Sequence, residues 1–269
     1  MAKVAARPQD VLAVSTTGMR HGSILVDARG EVLLATPTRD GAARCKAFSW
    51  RANAGASFTS APDTFPRLLW MADSAPELLG RAHAVLGLSD WLAYRLSGKM
   101  VAEPSVASES GLFEVSARRW ADDLIRSLGL PRHLFPEVVS SGTALGPLGK
   151  DAAAHLGLQP GIPVVTGGGD AQCGLLGADA VDSGEMGVVA GSTMPMQWVL
   201  DRGLIDDEAR LWTSHHVVHG RWTLESNGGL SGECPMVRSL RRALDTTPLS
   251  SDPCQSTLPY PAVIRLSLR

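Results

Sequence analysis

The chain has 269 residues, enough for one or two domains with a sizeable core, and its 44% hydrophobic and 19% charged content is ordinary for a globular protein. A net charge of -2 and the lack of any run of Lys or Arg argue against a protein built around nucleic acid. The four cysteines are scattered without a Cys-x-x-Cys pair and no apolar run could cross a bilayer, so we expect a cytoplasmic protein with neither a zinc site nor a membrane segment.

The first hundred residues contain strand patterns followed by helix patterns. Short apolar runs bounded by turn residues predict strands at Val11–Ser15, Ser23–Asp27 and Glu31–Ala35. The last two are joined by an Asp/Gly turn and predict a β-hairpin. Apolar residues at helical spacing predict core helices over Pro66–Ala72 and Ser89–Leu96, the second with Ser89 as its cap and Gly98 as its end.

The segments around and after these helices are less regular. Residues Asp40–Asp63 have no usable period and predict a loop, and Pro104–Val115 predicts a loop that enters a strand. Two further helices are predicted over Trp120–Leu128 and Asp151–Leu156, because a glycine follows each of them.

The most informative stretch runs from Pro163 to Gly174. A short apolar strand, Val164–Thr166, leads into three glycines and then presents the carboxylate of Asp170. Glycines at a strand end let a ligand or another backbone come close, and the small residues that follow, Ala171–Leu176, predict the first turn of a helix or a tight connection. Asp170 would then lie where a strand ends and helix amides face a crevice, as in many α/β binding sites. A plain strand-to-helix turn with Asp170 as N-cap is an equally consistent interpretation of the local sequence.

A second domain is predicted from about Val181. Strands joined by glycine turns are expected over Glu185–Thr193 and within His215–Glu225, followed by a helix over Cys234–Leu244. The last segment, Asp245–Arg269, is rich in proline and serine without a usable period and predicts an irregular tail.

Three other patterns are set aside. His215, His216 and His219 could suggest a metal site, but on a strand the middle one points away from the other two, so we favour ordinary surface or half-buried histidines. Residues Gly142–Lys150 lack the glycine and the hydroxyl residue that a P-loop requires. The three glycines before Asp170 do not have the dinucleotide spacing, which leaves a Rossmann-type oxidoreductase as the weakest alternative.

Four patches in this order and spacing resemble the FGGY carbohydrate kinases, the family of xylulokinase, gluconate kinase and glycerol kinase: Ser15–Gly22, Asp90–Gly98, the Asp170 stretch and Gly191–Pro195. The Met-Arg-His-Gly patch with its hairpin is most similar to the autoinducer-2 kinase branch. The resemblance extends from Val11 to about Leu244.

The resemblance implies an α/β protein with the actin-like ATPase (ribonuclease H-like) fold, which binds a small sugar or polyol and uses ATP with Mg²⁺. In that family Asp170 would match the catalytic base that accepts the proton of the attacking hydroxyl. Arg20 and His21 would match residues that hydrogen-bond the substrate, and Gln172 is either a further sugar contact or an amide on a helix surface. Asp40 falls where the family often has an acidic residue.

The resemblance also places Gly191, Ser192 and Thr193 at the phosphate loop of the second domain, where backbone amides and a hydroxyl group contact a phosphate. Glu225–Gly232 continues the family pattern as a strand and turn, and an ordinary glycine-rich turn is equally consistent with these residues.

The chain departs from the family at both ends, because no Asp-x-Gly-Thr-type loop precedes Val11 and no Gly-rich adenosine site follows Leu244. We therefore expect a truncated chain in which residues 1–180 form the sugar-binding domain without its first strands, 181–244 begin the nucleotide-binding domain and 245–269 are irregular. A catalytically inactive remnant that only binds a carbohydrate or a protein partner is the alternative. A homodimer is left open.

Overall fold

The computed structural model describes residues 7–36, 64–190, 193–206, 211–230 and 262–267, with the backbone alone at 190, 193, 227–230 and 262–267. In chain order the strands of this part are β1 Val14–Gly18, β2 Ser23–Val26, β3 Val32–Thr36, β4 Ala84–Gly87, β5 Phe113–Glu114, β6 Arg119–Trp120, β7 Ala144–Pro147, β8 Pro163–Gly169, β9 Glu185–Ala190, β10 Thr193–Leu200, β11 Trp212–His215, β12 Trp222–Leu230 and β13 Ala262–Ser267. The α-helices are α1 Thr64–Ser74, α2 Pro76–Arg81, α3 Leu88–Ser97, α4 Pro104–Ala107, α5 Asp122–Ser127, α6 Lys150–Leu156 and α7 Asp170–Gly177, and short 3-10 turns occupy Pro8–Asp10, Ser108–Ser110 and Arg132–Leu134.

These strands form four sheets. One has the order β1-β8-β7, with β1 and β8 parallel and β7 antiparallel to β8. A second, antiparallel sheet has the order β3-β2-β4, and β5 pairs with β6. The fourth is an antiparallel sheet of order β11-β12-β10-β9-β13.

The hairpin sheet is covered on both faces. Strand β2 is buried at every position because its alternate side chains enter two different hydrophobic clusters. Leu25 packs into the largest cluster, with Phe65 and Leu68 of α1. Ile24 and Val26 pack on the opposite face, against Trp91 and Tyr94 of α3 and their neighbours. The segment that follows β1 therefore leads directly into a strand that is buried on both faces.

Several predictions from the sequence agree with this arrangement. The hairpin of β2 and β3 is confirmed, and α3 ends at Gly98, which has a φ of 77° that favours glycine. The predicted cap of α3 is wrong, because the helix begins at Leu88 and Gly87 is the N-cap residue. Trp120 also lies in β6 rather than in a helix, and α5 begins only at Asp122.

Two segments expected to be irregular contain regular structure. Residues 104–107, predicted as a loop, form α4, since Pro104 stands at the first helical position and the Glu103 side chain caps the helix amides. Residues 262–267 lie in the segment predicted as an irregular tail, but they form β13 and pair antiparallel with β9. A strand of six residues inside a Pro/Ser-rich segment is too short to give a strong period. The predicted loop at 40–63 and the predicted helix at 234–244 lie outside the described residues.

Candidate functional site

The site is built where two neighbouring parallel strands end. Gly18 at the end of β1 is paired with Gly169 at the end of β8. The carboxyl ends of parallel strands meet at one edge of a sheet, which is where α/β proteins commonly bind ligands. The segment after β1 carries Arg20 and His21, and the residue after β8 is Asp170. The fold thus brings together two patches that are about half the chain apart.

Each of the three glycines of β8 meets a different neighbour. A Cβ on Gly167 would lie 1.8 Å from the backbone oxygen of Thr16 in β1, and a Cβ on Gly168 would lie 2.4 Å from the Cγ1 atom of Val217. On Gly169 it would lie 2.7 Å from the Cγ atom of Arg20. These distances are far below van der Waals contact, so glycine is required here for close packing of the strand end.

Asp170 is the first residue of α7, and its side chain is 57% exposed. The N-cap residue of this helix is Gly169, so the interpretation of Asp170 as a plain N-cap is wrong. The Oδ1 atom accepts a hydrogen bond of 2.9 Å from the amide of Ala171 and lies 3.9 Å from the Nε atom of Arg20. The carboxylate therefore faces solvent at the strand edge and is held by few bonds.

Arg20, in contrast, is deeply buried. Its Nη1 atom donates to Glu109 at 2.8 Å and to Glu225 at 2.7 Å, and its Nη2 atom donates to the second oxygen of Glu225 at 2.9 Å. Burial alone lowers the pKa of Arg20, but the carboxylates of Glu109 and Glu225 outweigh it and keep the pKa above its ordinary value. The guanidinium is therefore a fixed cation whose Nε side is turned towards Asp170.

The two carboxylates around Arg20 are not equivalent. Glu225 receives both terminal nitrogens of the guanidinium, which is the strong bidentate arrangement, and a further hydrogen bond of 2.6 Å from Gln197. Glu109 receives one of these nitrogens. Burial raises the pKa of Glu109 to about 7, with Arg20 acting in the opposite direction and Glu225 adding to the rise.

The two other residues predicted to contact the sugar, Gln172 and His21, differ in how deeply they are buried. Gln172 is fully buried, so it is not a helix-surface amide, and its Nε2 atom donates weakly to Ser214 at 3.4 Å. His21 is partly buried, and its backbone carbonyl accepts a hydrogen bond of 2.6 Å from the buried Arg67. The site thus gathers Asp170, Arg20 and Gln172 around Gly169, with His21 next along the chain.

The predicted phosphate loop is described only in part. Gly191 and Ser192 lie outside the described residues, as does Asp40. The backbone of Thr193 begins β10 and is paired with Leu230 of β12. Its expected role, with that of the two residues before it, stays a prediction.

His215 ends β11 in the fourth sheet, and His216 follows it directly. His215 and His216 are each only 2% exposed, so the expectation of surface or half-buried side chains is wrong for both of them. His215 donates from Nε2 to the carbonyl of Val115, and His216 accepts at Nδ1 from the amide of Val218. Among the described residues no group of three or more His, Cys, Asp or Glu side chains could hold a metal ion, and no helix there is long and apolar enough to cross a membrane.

Sequence reasoning did not identify four polar residues that hold the site together: Glu103, Ser105, Glu109 and Glu225. The first was detectable, because an acidic residue followed by proline is a typical start of a helix. The pairing of Glu109 and Glu225 with Arg20 has no local signal, since Glu225 is 205 positions away from Arg20 along the chain.

Comparison with known proteins gives a consistent result. The profile of the FGGY family of carbohydrate kinases, N-terminal domain, matches residues 1–177. The chain is 32% identical over 232 residues to the autoinducer-2 kinase of Salmonella typhimurium, which covers 82% of this chain and 44% of that protein. For the autoinducer-2 kinase of Escherichia coli ATCC 8739 the identity is 32% over 235 residues, covering 84% and 44%. The chain thus spans somewhat less than half the length of these relatives.

Solved structures show the same fold. A xylulose kinase from Rhodospirillum rubrum superposes with a TM-score of 0.78 at 22% identity, over 90% of this chain and 54% of that one. Plasmodium falciparum glycerol kinase with ADP superposes with a TM-score of 0.74 at 17% identity, over 91% and 51%. These similarities extend across most of the chain.

Proposed function

The chain belongs to the FGGY family of carbohydrate kinases, and from this premise we propose that it takes part in the ATP-dependent phosphorylation of a hydroxyl group on a small sugar or sugar-like compound. Its fold is α/β, the actin-like ATPase (ribonuclease H-like) fold. The observation that supports the proposal best is the exposed carboxylate of Asp170 at the shared edge of β1 and β8, beside the fixed cation of Arg20.

Asp170 is proposed as the general base. Its exposed carboxylate can accept the proton of a substrate hydroxyl as that oxygen attacks the γ-phosphorus of ATP, and the bond from this phosphorus to the leaving ADP oxygen breaks. The glycines on the strand before it let Thr16, Val217 and Arg20 pack closely against the strand end that carries this carboxylate. Within the described residues the carboxylate accepts one hydrogen bond, from the amide of Ala171, and lies 3.9 Å from Nε of Arg20, so it can turn towards a substrate.

Arg20, His21 and Gln172 are proposed as the residues that orient the sugar. The terminal nitrogens of Arg20 are engaged by Glu109 and Glu225, which fixes the plane of the guanidinium, while its Nε atom is the nitrogen closest to Asp170. A cation held in this way contributes at low entropic cost, because it does not need to be ordered when the sugar binds. His21 adds a ring that can donate or accept a hydrogen bond.

ATP is proposed to bind with its phosphates near Gly191, Ser192 and Thr193. Mg²⁺ is held in most nucleotide sites by phosphate oxygens and one or two carboxylates rather than by a protein cage. We propose that the phosphate oxygens hold the ion, and that the exposed carboxylate of Asp170 is kept for the proton of the substrate hydroxyl. The ion would neutralise charge on the phosphates; the residues above bind and orient the sugar.

The named relatives suggest which substrates to test first. Two of them are autoinducer-2 kinases, and xylulose, gluconate and glycerol kinases share the fold. We therefore propose a short polyhydroxylated ketone or polyol as the substrate class. A cytoplasmic location, a homodimer and the division into residues 1–180, 181–244 and 245–269 stay predictions from the sequence.

The test measures ADP release when the chain is mixed with ATP, Mg²⁺ and one candidate substrate at a time. The panel of candidates is autoinducer-2, xylulose, gluconate and glycerol, and ³¹P NMR identifies the phosphorylated product. One member of the panel is expected to be turned over. Asp170→Asn should lower that rate by about 100-fold or more, since general-base catalysis supplies factors of this size. The matched control is Asp123→Asn, whose carboxylate is 97% exposed and paired only with Arg126 among the described residues.

The alternative, a remnant that binds a carbohydrate without turnover, gives a different outcome in the same experiment. It predicts that a sugar of the panel binds in calorimetry while no ADP is released above the background of ATP alone. Turnover that Asp170→Asn leaves unchanged would refute Asp170 as the base.

A further inference from the structure

The turn that carries Asp170 is attached to a second buried carboxylate on the side away from Arg20. The amide of Gly169 donates a hydrogen bond of 2.9 Å to the hydroxyl oxygen of Ser105, at the start of α4. The Ser105 hydroxyl in turn donates to the Oε2 atom of Glu103. Both Glu103 and Ser105 have no exposed surface. A chain of two hydrogen bonds thus links Glu103 to the residue immediately before Asp170.

Glu103 is itself firmly held. Its carboxylate accepts hydrogen bonds from the amides of Ser105 at 2.9 Å and Val106 at 3.2 Å, and from the hydroxyl of Ser141 at 2.5 Å. Burial raises the pKa of Glu103, whereas the bonds from Ser105 and Ser141 lower it. Because every one of these neighbours is a donor, the position of the carboxylate is determined from several directions.

The glycine run makes this link possible. A Cβ on Gly168 would lie 2.9 Å from the hydroxyl oxygen of Ser105 and 3.2 Å from Oε2 of Glu103. Any larger residue would therefore push Ser105 away from the strand. Glycine at position 168 therefore lets the hydroxyl group of Ser105 reach the backbone of the strand.

From this geometry we propose that Glu103 and Ser105 are positioning residues: they form a buried relay that fixes the turn of Gly169 and Asp170. The hydrogen bonds of the relay do not depend on the proposed function. The expected effect of the relay on the reaction rate does rest on it. The relay acts through the backbone, since Ser105 bonds to the amide of Gly169 and both side chains are buried, whereas the side chain of Asp170 is exposed. A base that must accept a proton within hydrogen-bond reach depends on such support, because small displacements of a reacting group cost large factors in rate.

The first test is amide hydrogen exchange in the full chain, which needs no substrate. Ser105→Ala should increase the exchange rate of the Gly169 amide by about tenfold or more, which corresponds to a loss of ~1.4 kcal/mol or above in the free energy of opening. The amide of Thr166 in the same strand donates to Thr143 at 2.9 Å and should change far less. Ser110→Ala is the matched control, since it removes another buried hydroxyl that bonds within its own segment.

Two results would overturn the relay. One is a Gly169 amide that exchanges at the same rate in Ser105→Ala as in the unaltered chain. The other is an equal increase at Gly169 and Thr166, which would mean a general loss of stability. Glu103→Gln keeps the shape of the side chain and provides a second variant, for which a smaller increase at Gly169 is expected.

The second test separates the relay from the proposed function. With the sugar that is turned over, Ser105→Ala should lower kcat by about 10- to 100-fold with little change in KM for the sugar, because the base is displaced and the sugar contacts remain. An unchanged kcat together with a faster-exchanging Gly169 would contradict positioning of the base. If no sugar is turned over by the unaltered chain, the proposed function fails while the exchange experiment still decides whether the turn is held by the relay.

Discussion

Two buried carboxylate clusters lie on either side of the Gly169–Asp170 turn, and they differ in kind. The relay cluster consists of Glu103, Ser105 and Ser141, where one carboxylate accepts hydrogen bonds from neutral donors. The arginine cluster consists of Arg20, Glu109, Glu225 and Gln197, where one cation lies between two carboxylates. The two clusters therefore differ in what they hold: the relay cluster holds the backbone amide of Gly169 through a neutral hydroxyl, whereas the arginine cluster pairs charged side chains.

The two clusters also differ in the cost of their removal. Loss of the Ser105 hydroxyl leaves one buried amide without a partner, which costs about 1–3 kcal/mol. Loss of Glu225 leaves a buried guanidinium without its bidentate partner, and breaking a buried ion pair costs more. The following predictions test whether this ranking holds.

The largest effect is expected at the arginine cluster. Glu225→Ala should lower the free energy of unfolding by about 3–5 kcal/mol, because it removes the bidentate partner of the buried Arg20 guanidinium. The measurement is urea unfolding followed by circular dichroism. Glu114→Ala is the control, since its pair with Arg119 is on the surface, and such pairs contribute about 1 kcal/mol or less. Equal losses in the two variants would contradict a structural role for the buried pair.

The second prediction concerns the pH dependence of stability. It involves Glu109, the carboxylate of the arginine cluster that receives a single hydrogen bond from Arg20. Groups that face Glu109 are Arg20, Glu225 and Ser214, and burial raises the pKa of Glu109 from 4.5 to about 7. Between these two values the folded chain binds more protons than the unfolded chain, so Glu109 makes the free energy of unfolding fall as the pH rises. The free energy of unfolding of Glu109→Gln, measured relative to that of the unaltered chain, should therefore rise by about 2–3 kcal/mol between pH 4.5 and 7.

Two buried histidines change the free energy of unfolding with pH in the opposite direction to Glu109. Their contribution must be separated from that of Glu109. Burial lowers the pKa of His215 and of His216 from 6.5 to about 4, so both contribute a free energy of unfolding that rises with pH over that window. The difference between the chain with and without Glu109→Gln cancels their contribution. A difference that does not change from pH 4.5 to pH 7 would show that Glu109 does not carry the cost of burial.

The third prediction concerns the strand between the two clusters. Gly167→Ala would place a Cβ 1.8 Å from the backbone oxygen of Thr16, so β1 and β8 must move apart, with an expected loss of about 1–3 kcal/mol. Gly80→Ala in α2 is the matched control, because nothing lies within 4 Å of its Cβ and alanine favours a helix. Thermal unfolding of both variants checks the prediction, and a neutral Gly167→Ala would argue against close contact of the two strands.

Much of the site was predictable from local sequence. The apolar strand, its glycines and the small residues after them indicated that Asp170 begins a helix at a strand end, and α7 follows that prediction. The parallel pairing of β1 and β8, which brings Arg20 to Asp170, was available only through the family resemblance. Periodicity does not specify which strands are neighbours.

Other parts could not be predicted for physical reasons. Helix α4 has four residues, too few for a helical period, although Glu103 and Pro104 gave a signal for its start. The two carboxylates around Arg20 come from distant segments, the 3-10 turn at Ser108–Ser110 and strand β12, and their pairing depends on the tertiary fold. Strand β13 is recognised only through its pairing with β9.

The smallest effect on stability is expected for a substitution of Asp170. A loss of rate in such a variant would therefore report on catalysis and not on unfolding. Its side chain is exposed, so Asp170→Asn should change the free energy of unfolding by no more than about 0.5 kcal/mol. The measurement is the rate of sugar-dependent ADP release by the unaltered chain and by Asp170→Asn, each with its unfolding curve. We expect a loss of about 100-fold or more in rate with the fold intact. Equal rates in two equally stable chains would contradict the assignment of Asp170 as the base.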